Sequence, residues 1–347
     1  DTSTVVDTEK GVLSFYGKKV IDSKRGGYGE ISVAKAFAVS SNTGIVKVIH
    51  DSYKENSKQF IDGLYRMNLQ NTLDLPIKGE GLPVIPDPRV KNKLWSGIAL
   101  EWMAFGYGVS FTPLQTLTFY NAIANNGEMV KPRFLKEVKE FGSTIKSFDK
   151  MVINDRICSP ETVSKLQALL TDVVNKDYGT GHGLYSKNFS MAGKTGTCQK
   201  NYKVKGKKNY ISSFVGYFPV ENPKYSCIVV IHEPDKSVGY YGADVSGPVF
   251  KKVAQKIYTE TPIVDVINDL EVQDSEIITN YESYFNLAKK YKTIMPDLRG
   301  MSAMDAISLL ENMGMRVEII GRGKVKRQSI AKGVKLNMKT KIVLNLS

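Results

Sequence analysis

Three β-rich runs follow one another closely in the second half of the chain, and the short segments between them restrict how the strands can pair. The runs are 191–200, Tyr210–Phe218 and Tyr225–His232. The turn between the second and third runs contains V-E-N-P-K. It is too short for a crossover helix, so these two strands must be antiparallel neighbours. With the helix predicted over Pro248–Tyr258, they indicate an antiparallel sheet covered by helices, which is an α+β fold.

The first run, M-A-G-K-T-G-T-C-Q-K, predicts an exposed edge strand that faces a cleft. Gly193 and Gly196 have no side chain, so the backbone of a ligand could lie close to this strand. Lys194 offers a cation, Thr195 and Thr197 offer hydroxyl groups, and an unpaired edge offers N–H donors. This set suits an extended peptide that ends in a carboxylate and binds by strand addition. K-T-G alone is weak evidence, since it occurs by chance in roughly one chain in ten of this length.

Length and composition are those of a globular protein with two or three domains. The chain has 347 residues, of which 42% are hydrophobic and 24% charged, enough for a sizeable core. It contains neither an apolar run long enough to cross a membrane nor a signal peptide. Because it begins at Asp1 in what resembles mid-domain sequence, we expect a fragment, with any membrane anchor in the missing N-terminal part.

The formal net charge of +13 raises the question of nucleic-acid binding. Lysine and arginine are scattered, and their one local concentration is the segment 200–208. No RNA-binding signature, zinc finger or recognition helix accompanies it. We therefore predict a solvated basic loop and no nucleic-acid partner, with an anionic cell-wall polymer as the alternative.

Cysteine and histidine spacing argues against a metal site or a disulfide framework. The cysteines lack C-x-x-C pairing and the histidines lie far apart. We predict neither a metal nor a cofactor. The residues concerned are Cys158, Cys198, Cys227, His50, His182 and His232.

Local signals predict several helices in the first 260 residues. Ile31–Val39 and a segment from Ile45 towards Ser57 flank the interruption S-S-N-T, in which Ser41 and Asn42 suit helix capping. Thr112-Pro113 begins a helix with a capping box, and it ends near Asn125. Ser159-Pro160 begins another, whose apolar stripe predicts core. We further predict a hairpin over Val130–Phe148 and an irregular segment over Asp62–Lys93.

The chain divides into three parts by pattern. Residues 1–260 form the predicted main domain, 261–292 read as an acidic linker, and 293–347 form a small separate unit. In that unit M-P-D-L-R-G predicts a strand and turn, and Ser302 caps a helix to Met313. The remaining short strands are predicted at Val317–Ile320, Val325–Ile330 and Lys341–Leu346.

With these stretches in view, the sequence resembles the transpeptidase domain of class B penicillin-binding proteins, followed by one PASTA domain. The family pattern S-D-N is matched as S-S-N at Ser40–Asn42, with Ser41 in place of Asp, and K-T-G is matched at Lys194–Gly196. The stretches G-Y-G-V-S-F-T-P-L-Q, N-N-G-E-M-V-K-P and S-F-V-G-Y-F-P also resemble the family. The PASTA likeness departs only at K-G, residues 332–333, where P-G is usual.

The resemblance implies roles for the matched residues. Ser40 would relay a proton to the leaving amine, and Asn42 would hold the acyl amide. Lys194 would supply positive potential, and Thr195 with Gly196 would bind the carboxylate of the donor peptide. The N–H of Thr197 would form half of an oxyanion hole.

The nucleophile is where this sequence departs from the family. Four S-x-x-K strings occur, but none suits the role. Ser143 and Ser147 follow the S-x-N motif and lie in a predicted hairpin, Ser32 shares a short helix with Ser40, and Ser329 lies in the PASTA unit. A second S-x-N, 186–188, lies in a loop next to the K-T-G strand and is also rejected. We expect the true S-x-x-K upstream of Asp1.

The activity implied is that of a peptidoglycan D,D-transpeptidase, which cross-links stem peptides through a serine acyl-enzyme and is acylated by β-lactam antibiotics. The implied setting is the periplasmic side of the bacterial inner membrane, with a SEDS-type glycosyltransferase and division proteins as partners. Two alternatives stay open: a D,D-carboxypeptidase or β-lactamase relative, and a non-catalytic peptidoglycan-binding protein. Cys198 could be a free thiol at the cleft edge, but we favour a packed strand residue.

Overall fold

The structure is a computed structural model that describes residues 1–91, 94–200, 209–237, 239–260, 293–337 and 340–347. The chain divides into two compact units, Asp1–Ile267 and Asn268–Ser347. The predicted linker over 261–292 and most of the predicted basic loop lie outside the described residues. The domain boundaries given above therefore stay a prediction.

The first unit alternates short strands with helices. Its described strands are β1 (Val5–Asp7), β2 (Val12–Phe15), β3 (Lys18–Ile21), β4 (Glu30–Ser32), β5 (Met129–Val130), β6 (Glu137–Glu140), β7 (Ser143–Ser147), β8 (Val152–Asn154), β9 (Ala192–Lys200), β10 (Asn209–Phe218) and β11 (Tyr225–His232). Its described α-helices are α1 (Val33–Ala38), α2 (Asn42–Tyr53), α3 (Ser57–Arg66), α4 (Ala99–Ala104), α5 (Pro113–Ala124), α6 (Pro160–Asn175) and α7 (Gly242–Glu260).

The central sheet has the order β11-β10-β9, with both pairs antiparallel. Helices α5 and α6 contribute Ile123 and Leu170 to a core that also contains Tyr217 of β10. Helix α7 contributes Phe250 to a second core with Phe214 and other residues of the sheet. An antiparallel sheet between helices confirms the predicted α+β fold.

Two helices begin at the capping residues predicted for them. Thr112 accepts a hydrogen bond from the Gln115 N–H (3.1 Å), and the Gln115 side chain accepts one from the Thr112 N–H (2.8 Å). Ser159 caps α6 in the same sense, through the Thr162 N–H. The hairpin predicted around Gly142 is present as β6 and β7.

Two helix starts were predicted too late. Helix α2 begins at Asn42 instead of Ile45, because Ser41 is its N-cap and accepts a hydrogen bond from the Gly44 N–H. Helix α7 begins at Gly242, and Pro248 lies inside it. Proline normally interrupts a helix, but the buried Phe250 fixes this helix against the sheet.

Two other segments also differ from prediction. The start of the helix predicted over Ile31–Val39 is extended, because Ile31 pairs with Val6 in the ladder between β1 and β4. Helix α3 continues to Arg66 and so extends into the segment that was predicted to be irregular from Asp62; its buried residue Ile61 lies just before that segment. Both differences follow from tertiary contacts rather than from local sequence.

The second unit has its own core. Helix α8 (Ala303–Asn312) begins after the predicted cap Ser302 and packs on a sheet of order β12-β14-β13. The strands are β12 (Arg316–Ile320), β13 (Val325–Gln328) and β14 (Lys341–Leu346). Of the strand and turn predicted at M-P-D-L-R-G, the turn is present at residues 299–300, but the strand is wrong, since residues 295–298 are irregular and bury Met295 and Leu298.

Candidate active site

Strand β9 presents a free edge, because β10 is its only partner among the described residues. The Gln199 N–H donates to the Tyr107 hydroxyl at 3.2 Å, so it points away from β10. Successive odd-numbered residues of a strand point their N–H groups the same way. The N–H groups of Thr195 and Thr197 therefore lie on the same free edge, where an added peptide strand can accept hydrogen bonds from them.

Lys194 reaches from this strand to the turn between α1 and α2. Its Nζ donates to the Ser40 hydroxyl and lies 3.2 Å from the Thr195 carbonyl oxygen. It also lies 5.7 Å from the centre of the Phe37 ring. Because burial removes water from the ammonium group, the pKa of Lys194 is lowered to about 8. The lysine is thus still mostly protonated near pH 7, but it loses its proton more readily than an ordinary lysine while it contacts a hydroxyl group.

Ser40 occupies a sharp turn. Its φ of 54° is in the left-handed region, which serine adopts at some cost. The turn is closed by the hydrogen bonds from the Ser40 N–H to Phe37 (3.2 Å) and from the Ser41 N–H to Ala36 (2.9 Å). This geometry directs the Ser40 side chain to Lys194, which is 154 positions away in the sequence.

Thr180 also lies at the site, although the sequence pattern did not predict it. Its hydroxyl lies 2.9 Å from that of Thr195, and its N–H donates to the Ala38 carbonyl at 3.0 Å. The loop that carries it needs a glycine, because a Cβ on Gly179 would lie 2.3 Å from the Val173 carbonyl oxygen. The G-T-G string was the only local signal. Thr180 therefore adds a third hydroxyl beside those of Ser40 and Thr195.

The N-terminus of α7 lies against the part of β9 that contains Gly196 and Thr197. The Gly242 N–H donates to the Thr197 hydroxyl at 3.1 Å. A Cβ on Gly242 would lie 2.6 Å from the Gly196 carbonyl oxygen, so this close approach depends on glycine. Thr197 is held by its side chain while its N–H stays on the free edge of the strand.

Comparisons with known proteins agree with this arrangement. A family model described as "Penicillin binding protein transpeptidase domain" matches residues 1–255, and one described as "PASTA domain" matches 293–347. The chain belongs to the penicillin-binding-protein transpeptidase family. This confirms the resemblance drawn from the S-S-N and K-T-G motifs.

Curated relatives extend beyond this chain. Stage V sporulation protein D of Bacillus subtilis is 29% identical over 98% of this chain and 49% of its own length. Peptidoglycan D,D-transpeptidase FtsI of Buchnera aphidicola subsp. Baizongia pistaciae is 32% identical over 63% of this chain and 36% of its own length. The chain spans about half or less of these two relatives.

Solved structures share the fold. The transpeptidase domain of Burkholderia pseudomallei penicillin-binding protein 3 covers 76% of this chain at a TM-score of 0.61 and 26% identity, with 75% of that chain covered. A peptidoglycan glycosyltransferase from Burkholderia ambifaria covers 77% of this chain at a TM-score of 0.57 and 25% identity, also with 75% of that chain covered.

In this penicillin-binding-protein domain, the structure brings Ser40, Lys194 and Thr195 into direct contact, with Gly196 and Thr197 next along the strand. The contact that the structure gives for the Asn42 side chain differs from that of Ser40, which meets Lys194. Its amide nitrogen donates to the Ile21 carbonyl at 2.8 Å. The role of Asn42 in holding an acyl amide stays a prediction.

The S-x-x-K serines have other surroundings. Ser143 and Ser147 lie on the exposed strand β7. Ser32 caps α1, and Lys35 lies 5.1 Å from the centre of the Tyr178 ring. In the second S-x-N, the Ser186 hydroxyl accepts a hydrogen bond from the Asn188 N–H. Across the described residues, none of these serines forms a hydrogen bond with Lys194.

Three further features of the described residues bear on the chemistry. Cys198 is exposed, so the prediction of a packed strand residue is wrong; burial along β9 falls from Ala192 to Cys198 as the strand reaches the surface. No group of three or more His, Cys, Asp or Glu side chains in the described ranges could hold a metal ion. Of the helices that are described, none is long and apolar enough to cross a bilayer.

Proposed function

We propose that this chain forms the substrate-binding side of a peptidoglycan D,D-transpeptidase site. The observation that carries the proposal is the contact of Lys194 with Ser40 and Thr195 at the free edge of β9. A cation, hydroxyl groups and unpaired N–H donors converge there, and an extended peptide with a terminal carboxylate needs this combination.

The carboxylate of the terminal D-Ala would bind beside Thr195. The Thr195 hydroxyl, supported by Thr180 at 2.9 Å, would donate to it, and Lys194 would supply positive potential. Gly196 leaves the strand without a side chain at the next position. Hydrogen bonds to a charged group typically contribute about 1.5–3 kcal/mol, so these contacts would dominate recognition of the peptide end.

The chemistry would be acyl transfer through a serine. The serine oxygen attacks the carbonyl carbon of the D-Ala–D-Ala bond as its proton passes to the lysine that accompanies it, and the resulting oxyanion accepts a hydrogen bond from the Thr197 N–H, which lowers the barrier by about 3 kcal/mol. The C–N bond then breaks, and Ser40, in contact with Lys194, passes a proton to the leaving D-Ala amine. The amine of a second stem peptide displaces the serine and forms the cross-link.

We propose that the attacking serine does not belong to this 347-residue sequence. Ser32 and Lys35 serve to cap and pack α1, and Ser143 and Ser147 lie on an exposed hairpin. A catalytic lysine has to lie one helical turn from its serine and within reach of the substrate. The lack of such a pair beside Lys194 in the described residues supports a nucleophile supplied by another segment.

The biological setting is proposed from the relatives. Relatives named peptidoglycan D,D-transpeptidase FtsI and stage V sporulation protein D support a cell-wall enzyme, and we propose an extracytoplasmic one of the division-type branch. We propose β-lactam antibiotics as inhibitors and a SEDS-type glycosyltransferase and division proteins as partners.

Binding of a stem-peptide mimic tests the carboxylate site without any catalytic step. The probe is diacetyl-Lys-D-Ala-D-Ala, titrated into the ¹⁵N-labelled chain and followed by NMR. We expect saturable shifts at Thr195 and Thr197, and about tenfold weaker binding of the Thr195→Val variant, because a hydrogen bond to the carboxylate is lost.

Two controls separate recognition from general effects. Thr144→Val removes a hydroxyl that donates to Glu137 on the exposed hairpin, so this variant should bind as the parent chain does. The C-terminal carboxamide of the same peptide lacks the charge and should bind weakly to both. Equal binding of acid and amide would contradict the proposed site.

A further inference from the structure

A buried carboxylate lies behind the S-S-N turn. Asp22, directly after β3, is only 5% exposed. Its carboxylate accepts hydrogen bonds from the Ser41 hydroxyl (3.0 Å), the Thr43 N–H (2.9 Å) and the Thr43 hydroxyl (2.7 Å). Both carboxylate oxygens are therefore engaged by residues that directly follow Ser40.

Burial makes this contact mutually dependent. A buried carboxylate is costly unless hydrogen bonds replace its lost hydration. Here Ser41 and Thr43 donate those bonds to Asp22, and Asp22 in turn is the buried acceptor that their donor groups need. The two partners are 19 and 21 positions apart in sequence, so the contact is tertiary and not a local capping motif.

The backbone under Asp22 is itself held firmly. The Asp22 N–H donates to the Gly11 carbonyl at 2.9 Å. Gly11 and Gly27 pack against one another so closely that a Cβ on Gly11 would lie 2.7 Å from the Gly27 nitrogen. Next to Asp22, the Ile21 carbonyl accepts the hydrogen bond from Asn42. The segment from Ile21 to Asp22 is thus a fixed support for the turn.

Ser40 needs such a support because its φ is positive. A serine in the left-handed region persists only where its neighbours fix the chain on both sides. On one side α1 ends at Ala38. On the other, Ser41 is held by its N–H bond to Ala36 and its hydroxyl bond to Asp22. Without Asp22, the turn can relax to a more common conformation, and the Ser40 hydroxyl then leaves Lys194.

We propose that Asp22 is a positioning residue that holds the Ser40 hydroxyl against Lys194. The proposal deepens the proposed function, since the use of Ser40 as a proton relay rests on that function. The contact between Ser40 and Lys194 can nevertheless be measured without substrate, so the two can fail independently.

The test is the titration of Lys194 in the 347-residue chain with Asp22→Asn. Side-chain ¹³C NMR of labelled lysine reports its pKa, with the signal assigned by its loss in Lys194→Met. The amine nitrogen meets Ser40, Thr195 and the Phe37 ring. If Ser40 moves away, water reaches the nitrogen and the pKa should rise from about 8 towards its ordinary 10.5, by roughly one unit or more. Removal of the negative charge alone would lower it.

Asp87→Asn is the matched control. Asp87 is also buried (3% exposed) and accepts hydrogen bonds from Arg89 and Tyr65, away from the S-S-N turn. Both variants should melt earlier than the parent, but only Asp22→Asn should shift the Lys194 titration. This separates positioning of Ser40 from a general loss of stability.

Thr43→Val is the second variant in case Asp22→Asn does not fold, because it removes one donor to Asp22 and keeps the side-chain shape. It should shift the Lys194 pKa in the same direction by a smaller amount. An unchanged or lowered pKa in a folded Asp22→Asn protein, or an unchanged pKa in Thr43→Val when Asp22→Asn is unfolded, would overturn the proposal. Failure of the D-Ala-D-Ala peptide to bind the parent chain would instead count against the proposed function.

Discussion

Burial of Lys194 links the stability of this domain to pH. Its pKa is about 8 in the folded protein, against an ordinary value of 10.5. Between these values the unfolded chain binds a proton that the folded protein does not, so the free energy of unfolding rises with pH in that window. Well below pH 8 both states are protonated, and the folded state carries a cost of about 3 kcal/mol for the partly buried charge.

We therefore expect Lys194→Met to flatten the pH dependence of stability. Urea unfolding at pH 7.5 and pH 9.5 should show that the parent chain gains about 2 kcal/mol relative to the variant over this range. Lys187→Met is the control: Lys187 is exposed, so this variant should show the same pH dependence of stability as the parent chain. Parallel curves for the parent and Lys194→Met would mean that Lys194 is not buried as described.

Site residues could be predicted from the sequence where they belong to a short motif. Ser40, Lys194 and Thr195 were predicted because S-x-N and K-T-G are short and recognisable. Thr180 and Asp22 were missed because each acts through a partner that is 15 or more positions away, and no local pattern marks the pairing.

At the scale of elements, the close pairing of β9 and β10 depends on two glycines that face each other. Gly193 of β9 is opposite Gly216 of β10. A Cβ on Gly216 would lie 2.0 Å from the Ala192 carbonyl oxygen and 2.8 Å from the Gly193 Cα. The two strands lie so close there that neither position has room for a side chain, and this brings Lys194 to its place one residue later.

We expect Gly216→Ala to lower the free energy of unfolding by about 2–3 kcal/mol, because the added methyl group would force the two paired strands apart. Gly183→Ala is the control, since its Cβ would meet no atom within 4 Å. Urea unfolding of both variants gives the comparison. If the two variants are equally stable, the close approach of the strands is not required.

Elements with local signals were predictable, and elements fixed by packing were not. The capping box at Thr112 and the cap at Ser159 gave the starts of α5 and α6. Helix α7 contains Pro248, so sequence alone suggested a start there, and the true start at Gly242 depends on its contact with Thr197. Local propensity is overridden wherever a long helix is fixed by the sheet that it covers.

At the scale of the whole molecule, the two units each bury a hydrophobic cluster of their own. The first unit has one cluster that contains Tyr217 and another that contains Phe214 and Phe250, and the second unit has a cluster that contains Leu309, Leu310 and Ile342. The division into a transpeptidase part and a smaller C-terminal part could be read from composition and motifs. The family matches cover these two parts separately.

The most direct test of the proposed function is covalent labelling by a reactive penicillin. The full-length product of the natural gene is compared with the 347-residue chain, and adducts are located by digestion and mass spectrometry. We predict a stoichiometric adduct on a serine outside residues 1–347, no adduct on the isolated chain, and acylation at least about tenfold slower with Thr195→Val, which loses a hydrogen bond to the carboxylate of the penicillin. An adduct on Ser32, Ser40 or Ser143, or an unlabelled gene product, would contradict the account.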